Sequence, residues 1–147
     1  MVDAARPGVL YAGSAGLFAS TDGCATWQNL SAGLPEYASV SLVAVDPANP
    51  SNLYIDTDMD GLFRSTDGGQ TWKPLSKVVS GSSMDLQYKR VGALLIDPRD
   101  PNSLLAATWE GLIRSSDAGQ SWRLEENGIP SITIFTAALS EGALTRT

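Results

Sequence analysis

Three carboxylates in this chain stand where chemistry could be done. Asp58 and Asp60 lie in the stretch TDMDG, and Glu110 lies in TWEG. Two carboxylates set roughly 6.5–9.5 Å apart across a cleft suit an inverting glycosidase, one as acid and one as base. Trp109 precedes Glu110, and an exposed indole beside a carboxylate can form a platform for a sugar; the plainer reading is packing under a loop. The Asp58-x-Asp60-Gly61 spacing begins like a calcium loop. The remainder of the twelve-residue pattern, with its final Glu, is missing, so a solvated acidic turn is expected instead of a metal site. Tyr88, Lys89 and Arg90 follow one another in a long loop, where they can meet an anionic ligand or simply solvate the segment. The candidate ligand-binding set is therefore Asp58, Asp60, Tyr88, Arg90, Trp109 and Glu110. No residue is assigned as catalytic, and no metal or cofactor is expected.

Composition narrows the chemistry further. The 147 residues contain no histidine and a single cysteine, Cys24. The commonest general base, the usual zinc ligand and every Ser-His or Cys-His nucleophile pair are thereby excluded, as is an internal disulfide. A net charge of −6 repels phosphate backbones, so nucleic acid is not an expected partner. No apolar run approaches the ~20 residues that span a bilayer, so membrane insertion is not expected either. The opening MVDAARPGVLYAGS lacks a basic stretch followed by an apolar one, so no signal peptide is expected. An apolar fraction of 43% suits a folded chain of about one domain.

What must position the candidate residues is a repeat. FASTDGCATW, FRSTDGGQTW and IRSSDAGQSW are three copies of one ten-residue box, with serines at positions 20, 65 and 115, spaced by 45 and 50 residues. The likeness extends beyond the boxes, from Val45 to Trp72 against Ile96 to Trp122. A catalytic motif is needed once; a motif written once per structural unit builds the unit.

Each unit reads as four short strands. VSLVAVD and VGALLID are apolar on both faces, as buried inner strands should be, and each ends at Asp-Pro, where proline lacks the N–H a ladder needs. NLYIDT and SLLAAT supply the second strand, GLFRS and GLIRS the third, TWKPLS and SWRLEE the outer fourth. No segment keeps a 3.6-residue period, so helix content is expected to be low. Four-stranded units at this spacing fit blades of a β-propeller better than a sandwich or a β-helix. The expected fold class is all-β, a single domain over 1–147, with units at about 1–39, 40–90 and 91–131.

The box pattern is S-x-D-x-G-x-T/S-W: Ser65, Asp67, Gly69, Thr71 and Trp72 in the second unit, Ser115, Asp117, Gly119, Ser121 and Trp122 in the third. An Asp in a tight turn accepts from backbone amides, Gly permits positive φ, and the Trp can wedge between neighbouring blades. The first box keeps Ser20, Asp22, Thr26 and Trp27 but has Cys24 where the others have Gly. A left-handed Cys there would cost on the order of 1 kcal/mol and should lie on a surface turn.

These residues resemble the Asp-box, or BNR, repeat of sialidase-like propellers, a group that includes sortilin-type, xyloglucanase-type and photosystem II assembly factor-type members. The resemblance covers nearly the whole chain. It implies that the boxes lie at the turn between third and fourth strands, away from the binding face, so that Asp22, Asp67 and Asp117 are structural. It also allows an extracytoplasmic parent. The sialidase arginine triad is not matched: Arg64 and Arg114 sit in equivalent places beside two boxes, which suggests a repeated structural role, and no early Arg-Ile-Pro is present.

Propellers typically have about four to eight blades, and three would leave wide wedges between sheets that pack about 10 Å apart. ITIFTAALS, over 132–140, aligns with the inner strands and can complete the first unit. Exchanged between two chains, it would close a six-bladed, two-fold ring without open edges. The expectation is a non-catalytic binding or assembly scaffold that self-associates as a homodimer through strand exchange, with a protein or glycan ligand on the face opposite the boxes; a piece of a longer chain, or assembly of more than two copies, is the rival to the dimer. The alternative is a carbohydrate-active module, either a lectin or a glycosidase-like fragment.

Overall fold

The computed structural model describes residues 6, 8–75, 78–80, 85–86 and 90–125. Tyr88, the loop over 126–131 and the expected closing strand over 132–140 lie outside the described residues. Twelve β-strands and no helix are present among the residues described, and they build three separate blades of a β-propeller, antiparallel but for one outer pair in the third.

The first sheet is β1 (Leu10–Ser14), β2 (Gly16–Ser20) and β3 (Gln28–Asn29), in that order. The second runs β4 (Val40–Val45), β5 (Leu53–Thr57), β6 (Gly61–Ser65) and β7 (Lys73–Pro74). The third has five strands. β9 (Val91–Asp97), β10 (Asp100–Thr108), β11 (Gly111–Ser115) and β12 (Trp122–Leu124) follow the pattern of the second. The fifth, β8 (Val79–Ser80), pairs parallel to the outer edge of β12, with Val79 opposite Trp122. This departs from the four-stranded expectation, which treated the whole of Ser76 to Arg90 as a loop. Val79 and Leu86 bury themselves in the core around Trp122, and that apolar anchoring draws the segment to the outside of the blade. A second departure is at Asp97-Pro98. The chain reverses at once, and Pro101 is carried inside β10, where a register shift between Asp100 and Leu104 accommodates it.

Alternation along β5 decides which interface each side chain serves. Leu53 and Ile55 point into the core shared with the first sheet, and Tyr54 points into the core shared with the third. The middle sheet is thus buried on both faces, which explains its continuous apolar reading.

The boxes close the β2–β3, β6–β7 and β11–β12 turns by the same bonds. In the second, the buried Ser65 hydroxyl accepts from Gly69 N at 2.8 Å and donates to Asp67 Oδ1 at 2.7 Å. The same Oδ1 also accepts from the Thr71 amide at 2.9 Å, and Oδ2 accepts from the Thr71 hydroxyl at 2.5 Å. The Ser20–Asp22–Thr26 and Ser115–Asp117–Ser121 sets repeat this. Hydrogen bonding from Thr26 and Thr71 holds Asp22 and Asp67 down at about 2, and Ser121 lowers Asp117 likewise. Such groups contribute stability that is complete above the unfolded carboxylate value near 4 and lost as pH falls toward 2. Ser65→Ala would leave the buried Gly69 N–H unpaired. It is expected to cost about 1–3 kcal/mol, read as a lower urea midpoint at unchanged m-value.

Cys24 has φ of 76° and is exposed, so it is a left-handed residue on a surface turn. Cys24→Gly relieves that conformation and is expected to stabilise the chain by ~0.5–1 kcal/mol, measured by the same denaturation.

Candidate functional site

Box turns and Asp-Pro turns share one end of the blades. Gly68 N bonds Ser51 O at 3.0 Å, and Ala118 N bonds Asn102 O at 2.9 Å. The β5–β6 and β10–β11 loops therefore lie at the opposite end, and they carry four of the candidate residues. Each loop is held by a buried threonine at its base. Thr57 donates to Gly61 O at 3.0 Å and accepts from Asp60 N at 3.1 Å; Thr108 donates to Gly111 O at 2.8 Å and accepts from Glu110 N. Asp58 to Asp60 and Trp109–Glu110 are thus short rigid tips.

At the first tip, Asp58 meets Arg90. Nη2 and Nε of Arg90 both reach Asp58 Oδ1, at 2.7 and 3.1 Å. This pairing keeps the Asp58 carboxyl below the ordinary carboxylate range. An exposed ion pair of this kind contributes ~0–1 kcal/mol, so its value here is to tie the β5–β6 tip to the start of β9. At the second tip, Trp109 is 50% exposed. Asp58 and Arg90 are thus joined directly, and Tyr88 lies outside the described residues.

A cavity of about 430 Å³ opens between the inner strands, lined by Gly13, by Val40 to Val43 and by Gly92 to Leu95. None of the candidate residues lines it. Its walls are mostly backbone and aliphatic side chains, with Ser41 as the polar side chain. Among the described residues, no group of three His, Cys, Asp or Glu is placed to hold a metal ion. The paired arginines differ in their partners: Arg64 stacks on Tyr54 at 5.6 Å, and Arg114 pairs with Glu125 at 3.1 Å. Both partners lie within the arginine's own blade.

One carboxylate escaped the sequence reading. Asp56, on β5, is fully buried between the second and third blades. Its Oδ2 accepts from Val91 N of the next blade at 3.1 Å, and its Oδ1 has no hydrogen-bond partner. Burial pushes its pKa up to about 7, against the lowering effect of the Val91 amide; the Asp58 charge raises it further and Arg90 opposes. The equivalent residues in the other blades are Gly13 and Ala107. At Gly13 a Cβ would come within 2.5 Å of Val40 O. A polar residue amid the apolar YIDT run was the signal that could have found Asp56.

No protein-family model matches the sequence, and no curated protein matches it significantly. Solved structures do match. An ancestral GH74 enzyme superposes with a TM-score of 0.66 at 17% identity, over 88% of this chain and 18% of that one. The GH74 enzyme of Niastella koreensis gives 0.66 at 22% identity, over 91% and 22%. YCF48 from Cyanidioschyzon merolae gives 0.59 at 15% identity, over 83% and 34%. The likeness shows the propeller fold, and the chain spans about a fifth to a third of the length of these structures.

Proposed function

We propose that this chain is a non-catalytic propeller segment that acts as a binding or assembly scaffold and completes itself by association with a second copy, through exchange of an inner strand. The observation that carries the reading is the first sheet. Where the other blades have β4 and β9 as inner strands, β1 is the inner edge of its sheet among the described residues. An edge strand next to a wide apolar interface is a template for another strand. The segment over 132–140, whose sequence aligns with the inner strands, would fill that place if supplied by a second copy and close a six-bladed ring. The neighbour described as YCF48 bound to a D1 peptide has a TM-score of 0.56, and it shows a propeller of this kind holding a peptide. That agrees with a scaffold role. Light scattering of the pure chain should give twice the 15.5 kDa chain mass; a compact monomer at micromolar concentration would overturn the reading.

A second reading, a carbohydrate-active module, is supported by the exposed Trp109 beside Glu110 at a rigid tip. Glycan-array binding that disappears in Trp109→Ala, or turnover of xyloglucan-like oligosaccharides, would select it over the scaffold.

A further inference from the structure

The two interfaces between described blades share one device, a leucine packed on a box glycine, while the tryptophan N–H bond to the leucine carbonyl is made at the first alone, since Trp122 Nε1 is buried without a partner among the described residues. In the first, Leu30 follows the first outer strand and packs on the box glycine of the next blade: a Cβ at Gly69 would lie 2.9 Å from Leu30 Cδ1 and 3.3 Å from Leu30 Cβ. Trp72 of that next box then donates its indole N–H to Leu30 O at 2.8 Å. In the second, Leu75 packs on Gly119, where a Cβ would lie 2.6 Å from Leu75 Cδ1. The third member of the leucine series is Glu125. Leu30 N, Leu75 N and Glu125 N all bond the equivalent carbonyl of their own third strands, those of Leu17, Leu62 and Leu112.

Both exceptions to the device fall on the two flanks that no other described blade covers. Glu125 stands where the leucine should be, on the flank of the third blade. Cys24 stands where the glycine should be, on the flank of the first. The tryptophans report the same asymmetry: Trp72 and Trp122 are 7% and 2% exposed, whereas Trp27 is 44% exposed. A Cβ at the glycine position leaves no room for a leucine across the interface, so a contact that loses the glycine must lose the leucine with it. Glu125 meets this condition, being held on Arg114 of its own blade at 3.1 Å.

We infer that Cys24 and Trp27 of one copy dock on the Glu125 segment of a second copy, so that the joint between chains is a matched variant of the internal interfaces. The inference rests on the self-association proposed above and names the contact that forms it. Trp27 covers the end of β12 of the second copy and donates its indole N–H to Glu125 O there, as Trp72 does to Leu30 O. The Cys24 side chain takes the space that Leu30 and Leu75 fill elsewhere. A paired change at this joint alone favours association in the correct register over any slip that would set Leu30 or Leu75 against Cys24.

The test uses the spacing itself. The 3.3 Å between a Cβ at position 69 and Leu30 Cβ is close to the ~3.5–4.5 Å of a disulfide. Glu125→Cys, with Cys24 left in place, should therefore oxidise to an interchain 24–125 disulfide, giving a covalent dimer without free thiol. Glu125→Cys/Cys24→Ser should stay uncrosslinked, and Leu30→Cys/Gly69→Cys/Cys24→Ser should crosslink within one chain as the positive control. In the unmodified protein, alkylation of Cys24 should slow several-fold as concentration rises through the dimerisation range, a readout that needs no folding of a variant. If light scattering shows a dimer but no 24–125 crosslink forms and Cys24 stays equally reactive, the joint is wrong and self-association stands. A monomer overturns both. An intrachain 24–125 bond, or a ladder of larger species, overturns closure by two copies.

Discussion

Gly69→Cys, which puts the first box's cysteine into the second, is expected to destabilise the chain by about 2–5 kcal/mol. A left-handed β-carbon costs ~1–2 kcal/mol, and forcing it against Leu30 adds a packing cost of ~1–3 kcal/mol. The φ at Gly69 is 91°, and the incoming Cβ would sit 2.9 Å from Leu30 Cδ1. The same cysteine is tolerated at position 24, where the side chain is exposed in the single chain. Leu30→Ala should therefore recover part of the Gly69→Cys loss, leaving the double variant more stable than the sum of the two single changes predicts. Urea denaturation of the four proteins in this cycle checks the prediction. An additive result would show that backbone strain alone, without the interblade contact, determines which residue the fifth box position accepts.

The second large effect concerns Asp56. Its folded pKa of about 7 lies above the unfolded value near 4, so the folded chain binds the proton more tightly. Stability is then greatest when the group is protonated. It falls as pH rises from about 4 to about 7, and levels off above that. At 1.36 kcal/mol per pH unit, the full loss is on the order of 4 kcal/mol. Asp56→Asn keeps an acceptor for the Val91 amide and removes the charge, so its stability should be nearly flat over the same window. At pH 8 it is expected to exceed the wild type by about 1–2 kcal/mol, because its unpaired buried amide offsets part of the gain. Denaturation midpoints at pH 5, 6.5 and 8 separate the two curves; parallel curves would show that Asp56 is ionised in the fold throughout. The box aspartates act in a different window, below pH 4, so the wild type should be most stable near pH 4–5.

How much of this was open to sequence reading follows from chain separation. The box turns were legible because all their bonds close within four residues, as from Ser65 to Asp67 and Gly69 and from Asp67 to Thr71. The fourth box position was overlooked. It is also left-handed, and Ala118 holds it with φ of 59° where the other boxes have glycine. The candidate tips were placed on the end away from the boxes by the family resemblance, and the antiparallel order of successive strands puts them there. Their pairing was out of reach: Asp58 and Arg90 are 32 residues apart, joined only when two blades stand side by side. The parallel strand β8 was hidden for a related reason, since two apolar residues in a polar loop do not say which edge they will cover.

The sequence by itself determined the unit: the strand order, the turn chemistry and the number of copies, since each is written in neighbouring residues and period-two patterning. Only the tertiary structure decided what identical letters do. Trp27 and Trp72 occupy the same place in the same motif, yet one is exposed and the other is buried with its N–H on Leu30 O. Burial depends on whether a neighbouring sheet is present, and that information belongs to the assembled blades. Asp56 makes the same point with charge: an aspartate in a strand titrates like any other until a second sheet covers it and removes the water.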